Sequence, residues 1–198
     1  MKKSMIAAGA AIMIIAACYS LPGCEQPGQS TSLSPQALML RGEYLVAALG
    51  CNDCHSPKKK INADGTYELD SARLLSGHPA DAPFPAFDTS LTQPGKFILT
   101  SQQRTMFAGP WGISFSANIT SDETGIGTWT EEQFFTAIRK GKYKGLEGSR
   151  SLLPMMPWQY FSKLDDTDLR AIFAYLKSTQ PVSNVAPSPV LAHQTAAP

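Results

Sequence analysis

An all-α fold of few helices and long loops is what the sequence predicts, on three observations. Residues 35–49, 131–140 and 166–178 each carry an apolar period of helical type bounded by start and stop signals. Residues 56–128 show many turn signals and no sustained helical or strand period, and so read as connecting chain. A connection of that length is uncommon in a compact domain unless it packs on something large. The third observation supplies a candidate for that role: a Cys-x-x-Cys-His stretch directly after the first helix. Composition agrees with a globular domain, since 43% of the 198 residues are hydrophobic, 17% are charged and the formal net charge is +1. Nothing in that balance points to nucleic acid as a partner.

Cys51-Asn52-Asp53-Cys54-His55 is the pattern that attaches a c-type haem. Two thiols three positions apart can add to the two vinyl groups of one porphyrin, and the adjacent imidazole is then placed to bind the iron. Cys51 and Cys54 are the expected attachment residues for one covalent haem c, with His55 as an iron ligand. Two other chemistries use Cys-x-x-Cys. A structural zinc takes four ligands, usually in two spaced pairs, but Cys18 and Cys24 lie in or beside a targeting segment and His78 and His193 form no pair. A thioredoxin-like dithiol wants a βαβ context, whereas a helical pattern precedes Cys51.

In chain order, Lys2 and Lys3 precede an apolar run over residues 5–17, the pattern of a secretory signal. At about 13 residues the run falls well short of the ~20 that cross a bilayer as a helix. Residues 1–17 are therefore assigned as a signal peptide and the mature chain as exported. Ile15-Ala16-Ala17-Cys18 resembles the lipobox of bacterial lipoproteins, which implies lipid on Cys18 and a periplasmic protein anchored to a membrane. Leu21-Pro22-Gly23-Cys24 is a poorer match, and the alternatives are ordinary cleavage that discards Cys18 or a Cys18 to Cys24 disulfide. Residues 18–34, rich in Gly, Pro, Ser and Gln toward their end, read as a linker.

The domain is expected over residues 35–182. Ser34 is a good N-cap, Pro35 fits the first helical position and Gly50 is placed to stop the helix. Leu38, Leu45 and Leu49 give it an inward face, and Gly42 in mid-helix predicts a close crossing, with Tyr175 the residue expected opposite. In residues 56–128, Phe84, Phe87, Phe97, Phe107, Trp111 and Phe115 offer apolar contact to a porphyrin or to general core. His78, in a Gly-His-Pro turn, is either a surface bend or an alternative iron ligand.

Thr130-Glu131-Glu132-Gln133 is a capping box that opens the second helix, Phe134, Phe135 and Ile138 form its apolar face and Gly141 ends it. Arg139, Lys140, Lys142 and Lys144 make a basic cluster there, to which Lys58, Lys59 and Lys60 add a second group. Pro154-Met155-Met156-Pro157 follows, a proline-stiffened strap that offers a thioether as second axial ligand. His/Met ligation is the arrangement of electron-transferring cytochromes c; spacing leaves Met155 and Met156 nearly tied, and Met106 and Met39 are more distant choices. Asp165 caps the last helix, whose stripe is Leu169, Ile172, Phe173 and Leu176. Residues 183–198, rich in Pro, Ala and Ser, are expected as a flexible tail.

The order of helix, Cys-x-x-Cys-His, long loop, helix, methionine strap and final helix resembles a class I monohaem cytochrome c. More narrowly, the run from Asn118-Ile119-Thr120 to Trp129-Thr130, residues 134–141, and Pro154-Met155-Met156-Pro157-Trp158 through Tyr175-Leu176 are similar to one haem domain of the cytochrome subunits of membrane-bound alcohol and gluconate dehydrogenases. The resemblance covers residues 37–182. It implies a cytochrome c-like fold and places the second iron ligand at the methionine directly before Pro-Trp, here Met156. It also implies a one-electron carrier that is not itself an enzyme, with a dehydrogenase as donor or an oxidase as acceptor. This chain departs in having one haem motif where those subunits have three, and in an expanded stretch over residues 67–109. A haem-based gas or redox sensor is the alternative function.

Overall fold

Ser34 and Pro35 start helix α1, Pro35–Ala48, through the chemistry expected of them. The Ser34 hydroxyl accepts the Ala37 N–H at 3.2 Å, and Pro35 occupies a position where no N–H is needed. The structure is a computed structural model and describes residues 33–192. The signal, Cys18, Cys24, His193 and nearly all of the linker lie outside the described residues. Gly50, at φ 72°, turns the chain directly into a short helix α2, Cys51–His55.

The segment expected as loop holds most of the β structure. Strands β1, Lys58–Ile61, and β2, Tyr67–Leu69, pair antiparallel across an Asp64-Gly65 turn. Strands β3, Leu99–Thr100, β4, Met106–Gly109, and β5, Gly112–Phe115, then form a meander. After helices α3, Glu131–Lys140, α4, Trp158–Phe161, and α5, Asp166–Ser178, strand β6, Val190–Leu191, returns to pair with β5 and completes a four-stranded sheet of order β3-β4-β5-β6.

These two antiparallel sheets overturn the all-α expectation: the fold is mixed α/β. The physical reason lies in which residues the strands bury. In β5 and just beyond it the buried positions are Gly112, Ser114 and Ser116, while Ile113 and Phe115 are half-buried, so a period of two is present with its polarity reversed. In β4 all four residues are buried, which removes any alternation. The segment from residue 183, expected as a tail, supplies β6, and Asn184 donates through Nδ2 to the carbonyls of Ser76 and His78 at 2.7 and 2.8 Å.

The core lies between α1 and the two long C-terminal helices. Leu45, Val46, Phe134, Leu169, Ile172 and Leu176 are buried in one cluster, each worth roughly 1.5–3 kcal/mol relative to exposure. Gly42 is where α1 crosses α5. A Cβ there would overlap the Ala171 carbonyl and stand 2.7 Å from Cβ of Tyr175, so only glycine permits this approach. On the outer side of the crossing, Arg41 forks onto both oxygens of Asp168 at 2.9 and 3.0 Å. Among the described residues no helix is long and apolar enough to cross a membrane.

Candidate functional site

Helix α2 brings Cys51, Cys54 and His55 onto little more than one helical turn. Both cysteines are free thiols and half-buried. Burial pushes the Cys51 thiol up to about 11, and burial with the neighbouring Asp53 carboxylate raises that of Cys54. Dithiol oxidoreductases need the reverse, a thiol lowered toward neutrality. No group of three or more His, Cys, Asp and Glu side chains poised for a metal ion occurs among the described residues.

The imidazole is oriented from across the fold. His55 Nδ1 lies 2.7 Å from the Ala117 carbonyl, an acceptor, so Nδ1 carries the proton and Nε2 is left as the donor atom for a metal. Desolvation pushes the His55 pKa down, which keeps the ring neutral as a ligand must be. Gly77 seats this contact. Its N–H donates to the His55 carbonyl at 2.7 Å, its φ is +79°, and a Cβ would lie 2.5 Å from the Ser116 oxygen and the Ala117 carbonyl carbon. Ser56 closes the helix end, donating to Asn52 Oδ1 at 2.7 Å and accepting the Leu75 N–H at 2.8 Å. The residues present therefore fit a covalent haem: two thiols, an imidazole fixed in the ligating tautomer, and a backbone wall behind it.

The methionine strap is tied to the sheet. Ser114 donates to the Pro154 carbonyl at 2.5 Å and is itself held by Trp111 Nε1 at 3.2 Å. On the other side Leu152 N–H donates to the Gly141 carbonyl at 2.7 Å, and the Trp158 ring lies so close to Gly141 that a Cβ could not be accommodated. Met156 is half-buried and packs on the core, whereas Met155 is 45% exposed.

Several expectations change at this level. His78 is buried, not a surface bend: Nδ1 is 2.9 Å from Thr105 Oγ1, the ring centroid is 4.9 Å from that of Phe115, and Nε2 has no hydrogen-bond partner among the described residues. Phe84 and Phe97 are exposed, while Phe107 is buried. Lys58 is buried, with its ammonium on the Asp53 and Ser56 carbonyls, so it is no part of a basic rim. Arg139 and Lys140 are paired with Asp166 and Glu147. Two features escaped the sequence reading. Asn118 is a buried hub that accepts from Thr120 N–H and Oγ1 and donates to Thr124 Oγ1 and the Val182 carbonyl. Asp53, inside the Cys-x-x-Cys spacing, accepts from Tyr67 O–H at 2.6 Å and Arg104 Nη1 at 2.9 Å. A motif defined by its spacing says nothing of the residues inside it.

In sequence the chain is similar to cytochrome c subunits of dehydrogenases. It is 43% identical over 156 residues, 77% of its length, to the cytochrome c subunit of the quinone-type alcohol dehydrogenase of Gluconobacter oxydans. It is 30% identical over 140 residues to the gluconate 2-dehydrogenase cytochrome c subunit of Pantoea cypripedii, covering 70% of this chain, and 29% identical over 167 residues to the fructose dehydrogenase cytochrome subunit of Gluconobacter japonicus, covering 83%. The chain spans 24%, 22% and 26% of the length of these alcohol, gluconate and fructose dehydrogenase subunits. No protein-family model matches it.

Proposed function

We propose that the protein is a one-electron carrier holding a single covalent haem c, linked to a dehydrogenase and not itself a catalytic subunit. The observation that carries this reading is His55, in a Cys-x-x-Cys-His helix turn, with its Nδ1 proton committed to Ala117. The haem, when bound, supplies an iron centre that accepts and releases one electron without transforming a substrate. Cys51 and Cys54 would hold the porphyrin by thioether bonds, His55 would bind the iron through Nε2, and Met156 would offer it a thioether sulfur. A neutral thioether favours the reduced iron and so raises the potential. The Ala117 hydrogen bond keeps the imidazole from rotating, which lets the ligand set stay in place in both oxidation states.

Similarity to dehydrogenase cytochrome subunits supports a dehydrogenase as electron donor, and an oxidase is the acceptor that suits such a carrier. The amino-terminal pattern supports export to the periplasm with lipid on Cys18, to be read as a diacylglycerol-bearing cysteine at the mature N-terminus by mass spectrometry. Acid-acetone extraction tests the cofactor: colour should stay with the polypeptide, and Cys51→Ser with Cys54→Ser together should release it. A colourless wild-type pellet overturns the proposal. Carbon monoxide should leave the spectrum of the reduced protein unchanged if His55 and Met156 both hold the iron as proposed; a shifted spectrum would move the function to gas sensing.

A further inference from the structure

Two charged side chains, Lys58 and Arg104, pack against the haem-motif helix at Asp53, and the electron-carrier reading does not account for them. Lys58 is only 4% exposed, yet its ammonium donates to the Asp53 carbonyl and, at 3.0 Å, to the Ser56 carbonyl. Those two residues bracket Cys54 and His55. Its backbone is clamped as well: Lys58 N–H donates to Gln103 Oε1 at 2.6 Å, and Gln103 Nε2 donates back to the Lys58 carbonyl at 3.1 Å. The adjacent Arg104, at φ 54°, swings onto the Asp53 carboxylate. Tyr67 completes the group, its hydroxyl on Asp53 and its ring 5.1 Å from the Lys58 ammonium and 4.9 Å from the Arg104 guanidinium carbon.

A lysine buried among carbonyls costs free energy in desolvation, and most lysines escape it by reaching to water. Here every contact fixes the ammonium in place. Lys58 sits on the Asp53 and Ser56 backbone carbonyls and the half-exposed Arg104 on the Asp53 carboxylate, so two cations and one anion leave a net positive charge, its buried part Lys58, against the helix that bears His55. Reduction lowers the positive charge of the iron by one, and a nearby fixed cation therefore favours the reduced form; burial weakens the screening that would cancel this in water.

We propose that Lys58 is a positioning and potential-setting residue: a fixed buried cation, balanced in part by Asp53, that holds the carbonyl end of the haem helix and raises the reduction potential of the centre. This rests on the electron-carrier reading. The test is the midpoint potential of the haem-loaded full chain, by spectroelectrochemical titration. Lys58→Met should shift the midpoint down. Lys58→Arg, which keeps the charge, should hold it closer to wild type than Lys58→Met does. Asp53→Asn keeps an acceptor oxygen for Tyr67 and Arg104 but removes the negative charge, and should shift it up.

An unchanged or raised midpoint in Lys58→Met, an equal fall in Lys58→Arg, or a lowered or unmoved midpoint in Asp53→Asn would each overturn the role of charge. If Lys58→Met does not fold, the Asp53→Asn shift decides alone. A wild-type chain without covalent haem would instead sink the electron-carrier reading beneath it, a result recognisable before any titration.

Discussion

Met155 and Met156 are neighbours with unlike surroundings, a difference that supports the proposal of Met156 as the ligand. Met156 packs on the core and Met155 is 45% exposed. Met156→Ala is expected to abolish the weak red-end absorption of methionine-bound ferric haem and to lower the midpoint potential. Met155→Ala should leave both in place. A lost band in Met155→Ala alone would transfer the ligand, and a band lost in neither would point to His78, Met106 or Met39. Asn118 makes a second residue-scale test. Its Nδ2 faces the Thr124 hydroxyl and the Val182 carbonyl, so Asn118→Asp replaces a donor with an anion that meets oxygen. The expected cost is about 3 kcal/mol in urea unfolding; an effect under ~0.5 kcal/mol would be incompatible with the hub. At this scale the Cys-x-x-Cys-His pattern was legible in the sequence because it is local, five consecutive residues. The role of Asn118 was not, since its partners reach to residue 182.

At the scale of elements, the α1 and α5 crossing was readable from Gly42 and the apolar stripe of the last helix. Caps made the boundaries readable too: Ser34 at α1, and the reciprocal Thr130 and Gln133 box at α3. Gly42→Ala should gain helix propensity of about 1 kcal/mol and lose more to overlap with Ala171, for a net destabilisation of roughly 2 kcal/mol. A stabilised variant would mean that the helices are further apart. Arg41→Ala, at the same crossing but on the exposed side, should barely move the unfolding midpoint, because exposed ion pairs contribute little. The strands were hidden for an identifiable reason. Gly112-Ile113-Ser114-Phe115-Ser116 does alternate, but small polar residues take the buried side, and Lys58-Lys59-Lys60 reads as charge although its first member is buried.

Across the whole molecule, distant stretches of chain are joined at the site. The Asn184 side chain spans the carbonyls of Ser76 and His78 and accepts the Ala80 N–H, so the stretch before β6 braces the wall behind His55. Asn184→Ala leaves two carbonyls and an N–H without these partners and should cost about 2 kcal/mol, with faster amide exchange at Ala80 as a local readout. An unaltered exchange rate there would remove the brace.

The Ala117 hydrogen bond that orients His55 closes a span of 62 residues, Asn184 to Ser76 closes 108, and Arg41 to Asp168 closes 127. Contacts this far apart in sequence form late, because loop closure must precede their reward. The two thiols and the imidazole, by contrast, lie within five consecutive residues and are complete as soon as that stretch of chain emerges. Order in time thus follows from distance along the chain: attachment chemistry can act on a still-extended polypeptide, and the histidine acquires its orienting wall afterwards. A Gly42→Ala chain, destabilised where its first and last helices cross, should still come out of the cell with haem covalently bound.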